Sequence, residues 1–161
     1  MGKIIRGKKL MLFVKSGVSE NYRAIAFATN HTFSTSASTI NVSHKDLADL
    51  AEGQAKWDDA DIDTLSWTIT SEHLYANEGS GYTADDVFTL YANGTVLDVK
   101  FGLTDASTTG APAETGWVPS TSGAKMLSGK AVITSFDISA SSEENASMSI
   151  TLTGKGPITL A

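Results

Sequence analysis

The chain has 161 residues, enough for one domain with a sizeable core, and it contains no cysteine, which excludes disulfides and thiolate metal sites. Its net charge of −6 at pH 7 argues against a protein that grips nucleic-acid phosphates, although it is compatible with a surface that repels them. The charge is uneven, because residues 1–15 hold five basic and no acidic side chains, whereas the rest holds seven bases and eighteen acids.

The N-terminal segment is basic and then briefly apolar. Lys3, Arg6, Lys8 and Lys9 precede only five apolar residues, Leu10–Val14. That run is too short for the core of a signal peptide or for a membrane span. We therefore expect a soluble chain made in a cytoplasm, with Leu10–Val14 as its first strand.

Two further strands and a long irregular stretch are predicted next. The mixed small and large apolar residues of Ala24–Ala28 indicate a second strand, and Phe33–Val42 indicates a third. The third is rich in Ser and Thr, which is typical either of a plain solvated strand or of an edge or interface strand. Residues 43–64 follow as a long loop, and a loop of this length in a compact domain is usually functional or flexible.

The middle of the chain predicts a strand, a helix and another strand. Leu65–Ser71 alternates with Leu65, Trp67 and Ile69 inward, and residues 95–103 alternate in the same way. Between them Thr83 is a helix N-cap, and the acidic residues behind it favour the positive end of the helix. The stripe predicted to be buried on this helix consists of Val87, Phe88, Leu90 and Tyr91.

The C-terminal part predicts a long antiparallel hairpin, after a second long loop at about 104–128. Residues 131–139 and 146–153 both alternate with period two and are joined by six turn-forming residues. We expect Val132, Thr134, Phe136 and Ile138 to share a face. With seven or eight strands and one short flanking α-helix, the chain is predicted to be a single domain, 1–161, and mainly β: an antiparallel β-sandwich or barrel.

Groups able to carry chemistry are few. His31, His44 and His73 lie in different segments without metal-binding spacing, and each is interpreted as a surface histidine. The series Asp59, Asp61 and Asp63 imitates the start of a calcium loop but lacks its glycine and its closing carboxylate, so a solvated acidic loop is favoured. We expect no catalytic residue, metal or cofactor.

Taken together, these segments resemble the major tail (tail tube) proteins of long-tailed bacteriophages. The resemblance rests on five patterns along the chain: Gly7–Val14, Ile25–Asn30, Ser43–Asp46 followed by Trp57, Leu65–Thr68, and the Gly129–Gly156 hairpin. It implies a tail-tube-like β-sandwich that assembles into hexameric rings, stacked head to tail in a virion tail through which DNA passes into the host. It also implies no enzymatic activity, and partners such as tape-measure, tail-terminator and baseplate or tail-tip proteins.

The uneven charge suggests how such rings would contact each other. We expect the basic N-terminal segment of one ring to face the acidic loop of the next, because stacking requires two different surfaces to meet. The residues expected at these contacts between subunits are Lys3, Arg6, Lys8, Lys9, Lys45, Asp46, Trp57, Asp58, Asp59, Asp61 and Asp63. A second hypothesis places acidic and Ser/Thr-rich faces in the lumen, where they would repel phosphates.

Three alternatives remain open at this point. The tube of a contractile injection or secretion machine shares the architecture that the resemblance implies. A carbohydrate-binding β-sandwich would use Trp57 and Trp117 as stacking platforms. A small hydrolase would need a carboxylate and a histidine brought together, and the sequence shows no such constellation.

Overall fold

A computed structural model of the chain describes residues 4–17, 21–41, 60–78, 82–104, 119–120 and 125–161. No helix in these ranges is long and apolar enough to cross a membrane. The elements are a 3-10 turn (Gly7–Lys9), β1 (Leu10–Lys15), β2 (Arg23–Ala24), β3 (Ala28–Asn41), β4 (Ala60–Leu74), α1 (Ala84–Ala92), β5 (Leu97–Leu103), β6 (Leu127–Ser139), β7 (Ser147–Gly154) and β8 (Thr159–Leu160).

The eight strands form one antiparallel sheet in the order β2-β1-β5-β6-β7-β4-β3, with β8 beside β6. The sheet curls strongly. This is shown by Phe33 on β3, which stacks on Phe101 on β5 with ring centroids 6.1 Å apart. In a flat sheet those two strands would be about 19 Å apart at the usual spacing of about 4.8 Å. Within the described ranges, β3 at one end of this order pairs with neither β2 nor β1 at the other, so the curled sheet is open there. The predicted class, mainly antiparallel β with one flanking helix, is confirmed.

The inner face of the curled sheet carries the core. Leu12, Ile69, Val99 and Ile150 come from four different strands and are almost completely buried. Trp67 is 5% exposed, which confirms its predicted inward position. Burying aliphatic side chains of this size stabilises the fold by about 1.5–3 kcal/mol each, so the alternation in these strands fixes which face turns inward.

The C-terminal hairpin forms as predicted, but a bulge changes which residues share a face. β6 pairs with β7, and the register shifts between Ile133 and Ser135, leaving Thr134 as the extra residue. Beyond the bulge Phe136 pairs with the core residue Ile150, whereas Val132 pairs with Thr153 on the outer face. The predicted common face for Val132, Thr134, Phe136 and Ile138 is therefore wrong, because one inserted residue reverses the alternation.

The second predicted strand is shorter than expected. β2 ends at Ala24, Ile25 makes an isolated parallel bridge to Tyr82, and the chain then turns at Ala26 and Phe27. Phe27 has a φ of +55°, a left-handed conformation that no strand residue adopts. β3 starts immediately after it, so β3 is longer than the predicted third strand.

Helix α1 begins and ends close to its predicted limits. The backbone N–H of Thr83 donates to the Asp86 carboxylate at 3.1 Å, and the chain leaves the helix through Gly94 at a φ of +61°. Val87 is buried as expected, but Phe88 and Tyr91 are 53% and 38% exposed. The predicted apolar stripe is thus only partly covered by the sheet.

β3 and β4 extend beyond their neighbours as a two-stranded arm. β4 begins at Ala60, so the last residues of the stretch expected to be irregular belong to a strand. Only Thr68–Leu74 of β4 pairs with β7, whereas residues 60–67 have no partner on that strand. Leu65 lies on the same side of β4 as Trp67, as predicted. It is nevertheless 76% exposed, because the arm extends beyond the core.

Candidate functional site

The chemically reactive groups of the described residues meet in one buried hydrogen-bonded chain. Ser71 Oγ lies 2.7 Å from His31 Nδ1 and 2.6 Å from His73 Nε2, and His73 Nδ1 lies 3.2 Å from the Ala26 carbonyl oxygen. A carbonyl only accepts, so His73 Nδ1 carries a proton and His73 Nε2 accepts the Ser71 hydroxyl proton. His31 Nδ1 must then donate to Ser71, which leaves His31 Nε2 unprotonated.

Two of these three side chains are sealed from solvent, and the third, His31, borders a cavity of about 440 Å³. Ser71 and His73 are 0% and 1% exposed, and burial lowers the pKa of His31 and His73 to about 4, so both are neutral near pH 7. Among the described residues, no group hydrogen-bonds to His31 Nε2. A serine without access to solvent cannot act on a substrate. The network is structural, because its hydrogen bonds join β3, β4 and the Ala26 turn.

The prediction of surface histidines is therefore wrong for His31 and His73, and His44 lies outside the described residues. The signal that could have placed His73 is the alternation of β4 itself. The successive inward positions of this strand hold Trp67, Ile69, Ser71 and His73. A polar residue at the end of that series therefore faces the core.

No metal site is formed in the described part of the chain, where no three His, Asp or Glu residues come together in a metal-binding group. Asp61 and Asp63 were expected in an acidic loop, but both lie in β4, with Asp61 paired with Ile40. Strand geometry does not supply the convergent oxygens of a calcium loop.

Three stretches of strand edge lack a partner among the described residues. β3 pairs only with β4, so its other edge is free from Ala28 to Asn41. β6 pairs with β5 only up to Ala131, so residues 132–139 have a free edge on that side. The arm segment of β4, residues 60–67, is the third. Exposed strand edges of this length attract further strands unless the protein covers or pairs them.

The outer face of β3, β4, β7 and β6 is covered by hydroxyl groups. On this surface, the hydroxyl face, Ser36 Oγ lies 3.2 Å from Ser66 Oγ, and Thr134 Oγ1 lies 2.9 Å from Thr153 Oγ1. Its charged members are acidic, whereas the base Lys130, which precedes it on the same outer side of β6, lies 3.6 Å from Asp98 of β5. The hydroxyl face consists of Thr32, Ser34, Ser36, Ser38, Thr64, Ser66, Thr68, Thr70, Glu72, Ser147, Ser149, Thr151, Thr153, Thr134, Ser135, Asp137 and Ser139.

An aromatic patch lies where α1 packs against β6, at the end of the free β6 edge. Phe136 contacts Phe88 edge-to-face at 5.5 Å and stacks on Tyr91 at 6.2 Å. A cavity of about 300 Å³ opens beside these rings and is lined by Tyr75, Ala84, Asp85, Phe88, Phe136 and Ile138. Exposed aromatic clusters of this kind mark interaction surfaces more often than free protein surface.

The residues expected at contacts between subunits are only partly described. Arg6, at the 3-10 turn, is exposed together with Lys9, and Asp61 and Asp63 are exposed on the arm. Lys3, Lys45, Asp46, Trp57, Asp58 and Asp59 lie outside the described residues, as does the side chain of Lys8.

The described basic and acidic groups lie far apart in one copy. Gly7 lines a cavity of about 440 Å³ together with residues 28–31, at the start of β3, whereas Asp61 pairs with Ile40 near its end. Ten strand residues separate those positions, which is about 33 Å. The structure therefore does not bring the two sets together within one copy.

Comparisons with known proteins agree with this architecture. The family profile described as phage tail tube protein matches residues 4–160. The tail of an empty gene transfer agent particle, refined with helical C6 symmetry, has a TM-score of 0.71 at 16% identity, covering 98% of this chain and 99% of that one.

Two further solved structures are similar. The SPP1 tail tube has a TM-score of 0.65 at 12% identity, covering 95% of this chain and 77% of that one. A chain of the anti-feeding prophage baseplate has a TM-score of 0.58 at 10% identity, covering 100% and 97%. No curated protein sequence matches the chain.

Proposed function

This chain belongs to the phage tail tube protein family, and from that premise we propose that its copies form hexameric rings that stack into a hollow tube for DNA. The family assignment makes the protein a structural component of a phage tail. The number of copies in a ring, the stacking contacts and the passage of DNA are the proposed part.

The free edges of β3 and β6 are the observation that carries the proposal. β3, β4, β7 and β6 are antiparallel neighbours, so β3 and β6 at the two sides of this four-stranded unit run in opposite directions. The free edge of β3 in one copy can therefore pair antiparallel with the free edge of β6 in the next, with both copies upright. Repeated around an axis, this pairing closes a wall and leaves neither edge exposed.

The hydroxyl face is the surface that such a wall would turn toward the lumen. It belongs to the same four strands, and its two charged members, Glu72 and Asp137, are acidic residues. The nearest base on the same side of β6, Lys130, is paired with Asp98, so the hydroxyl face offers DNA phosphates few ion pairs and a duplex would slide along it instead of binding. The opposite face of these strands packs on the core, except along the arm, where Leu65 is exposed.

Stacking of the rings would use the charged ends of each copy. Arg6 and Lys9 lie near the start of β3, and Asp61 and Asp63 lie near its far end, so opposite charges are exposed at the two ends of β3. In a head-to-tail stack the basic end of one ring meets the acidic end of the next. Lys3, Lys8, Lys45, Asp46, Trp57, Asp58 and Asp59 are proposed to extend the same two surfaces.

A structural role without catalysis is proposed for the whole chain. The Ser71 hydroxyl, which is hydrogen-bonded to both His31 and His73, is buried in the sheet. Tape-measure, tail-terminator and baseplate or tail-tip proteins are the expected partners, and the virion tail, assembled in the host cytoplasm, is the expected location.

Negative-stain electron microscopy of the concentrated protein tests the proposal. Rings or tubes with a central channel are the expected result. A monomer that stays monomeric at every concentration and ionic strength, and binds glycans or turns over a substrate, would contradict it. A variant with Thr35→Pro in β3 is expected to remain folded and to lose assembly, since proline removes an N–H from the free edge, whereas the neighbouring Ser34 directs its N–H at Thr68 of β4.

A further inference from the structure

Phe27 combines two features that are unusual for a phenylalanine. Its backbone is left-handed, with a φ of +55°, and its side chain is 54% exposed. Bulky residues rarely adopt positive φ, and such a conformation persists only where surrounding contacts enforce it. Neither burial of the ring nor backbone preference accounts for a phenylalanine at this position.

Hydrogen bonds on both sides of Phe27 hold the turn in place. The N–H of Ala26 donates to the Tyr82 carbonyl at 2.8 Å, and the N–H of Leu74 donates to the Phe27 carbonyl at 3.0 Å. The Ala26 carbonyl accepts from His73 Nδ1 at 3.2 Å. The buried histidine network therefore supports the turn that displays the Phe27 ring at the surface.

The aromatic patch lies on the opposite side of the same four-stranded unit, in the same row of residues. Ala28, which follows Phe27, pairs with His73; His73 pairs with Met148, and Met148 with Ile138. Ile138 lines the cavity beside Phe88 and Phe136. Three strand spacings, roughly 14 Å, separate the two ends of this row within one copy.

We propose that the Phe27 ring of one copy inserts into the Tyr75–Phe88–Phe136–Ile138 cavity of the neighbouring copy, where it locks the β3–β6 junction of the ring. This inference rests on the proposed pairing of β3 with β6, which brings the start of β3 alongside the end of β6 in the next copy. The cavity of about 300 Å³ is large enough for a benzyl group, and its lining is largely aromatic and aliphatic. Ring contacts and burial there would compensate for the strained backbone.

Cysteine cross-linking tests the proposed contact directly, because the native chain has no cysteine. The variant Phe27→Cys/Ile138→Cys, assembled and then mildly oxidised, is expected to give a ladder of covalent oligomers on a denaturing gel. A disulfide needs Cα atoms within about 7 Å, which the spacing within one copy does not allow. The control Phe27→Cys/Leu160→Cys places the second cysteine on β8 and is expected to stay monomeric. Assembled protein that gives no ladder, or an equal ladder in the control, would overturn the proposal.

Substitutions at Phe27 separate this contact from folding. Phe27→Gly removes the ring and relieves the left-handed strain, so we expect an unchanged or higher melting temperature of the monomer. The concentration needed for assembly should rise about tenfold or more, as for a buried aromatic anchor. Phe88→Ser, from the cavity side, should raise this concentration similarly, whereas Ile62→Ser should change it less, although Ile62 on the arm is more exposed than Phe88.

These outcomes distinguish the contact from the ring itself. If Phe27→Gly assembles at the same concentration as the native chain, the proposed insertion of the Phe27 side chain is wrong, and the proposed tube is unaffected. If the native chain forms no rings under any condition, the proposed function fails first.

Discussion

Gly154→Ala is expected to destabilise the monomer strongly through one steric conflict. A Cβ built on Gly154 would lie well under 3.0 Å from Cε2, Nε1 and Cδ2 of the Trp67 indole, far inside ordinary contact distance. The indole cannot move aside freely, because it is 5% exposed, its Nε1 donates to the Gly156 carbonyl at 3.0 Å, and Phe33 packs against it.

The magnitude follows from this geometry. Overpacking in a rigid site costs about 1–3 kcal/mol, and loss of the indole hydrogen bond adds about 1 kcal/mol. We therefore expect a loss of about 2–4 kcal/mol in the free energy of unfolding. For a domain of this size that corresponds to a fall of roughly 4–16 °C in melting temperature.

Urea unfolding of the unassembled protein, followed by tryptophan fluorescence, measures this loss. The midpoint should fall while the slope against urea stays unchanged, because the substitution disturbs one local site and leaves the surface exposed on unfolding the same. Gly17→Ala is the matched control, since nothing lies within 4 Å of its Cβ position, and it should change stability by less than about 0.5 kcal/mol. A Gly154→Ala variant as stable as the control would refute the reasoning that this close approach requires glycine.

The remaining predictions concern pH and charge. His31 and His73 have folded pKa values of about 4 against an ordinary 6.5, so the unfolded chain binds protons that the folded chain does not, and stability should fall as pH drops from 6.5 to 4 by up to about 3 kcal/mol per histidine. Urea midpoints at pH 7 and 4.5 check this, and His31→Gln should flatten the slope. Glu72→Lys, with Glu72→Gln as control, should leave assembly intact but retain short duplex DNA in tubes at low salt, measured by co-sedimentation; equal retention by both variants would argue against the hydroxyl face as the lumen wall. Reversing the charges of Lys8 and Lys9 should shorten tubes and alter their salt sensitivity in electron micrographs, and unchanged tubes would contradict the stacking contact.

The sequence predicts best what local alternation determines. The C-terminal hairpin, the inward side of Trp67 and Ile69, and helix α1 behind Thr83 all depend on neighbouring residues, and each is present. Alternation cannot reveal an inserted residue, so the bulge at Thr134 reversed the predicted face of β6. It also cannot show where a strand extends beyond its neighbours, so it did not predict that Leu65 is exposed.

The candidate surfaces were harder to predict, because they depend on contacts distant in sequence. The left-handed Phe27 is enforced by Tyr82, Leu74 and His73, from elements 46 to 55 residues away, and no local pattern marks it. The Ser/Thr-rich composition of the third strand was compatible with a plain solvated strand as well as with an edge or interface strand, and β3 is a sheet edge. Only the strand order shows that β6 supplies a second edge running in the opposite direction.

A cryo-EM reconstruction of the assembled protein tests most directly whether open strand edges build the tube. The account predicts β3 of each copy hydrogen-bonded antiparallel to β6 of the next, with the hydroxyl face lining the channel. A tube in which these two edges never meet, or in which Glu72 and Asp137 point away from the channel, would contradict it.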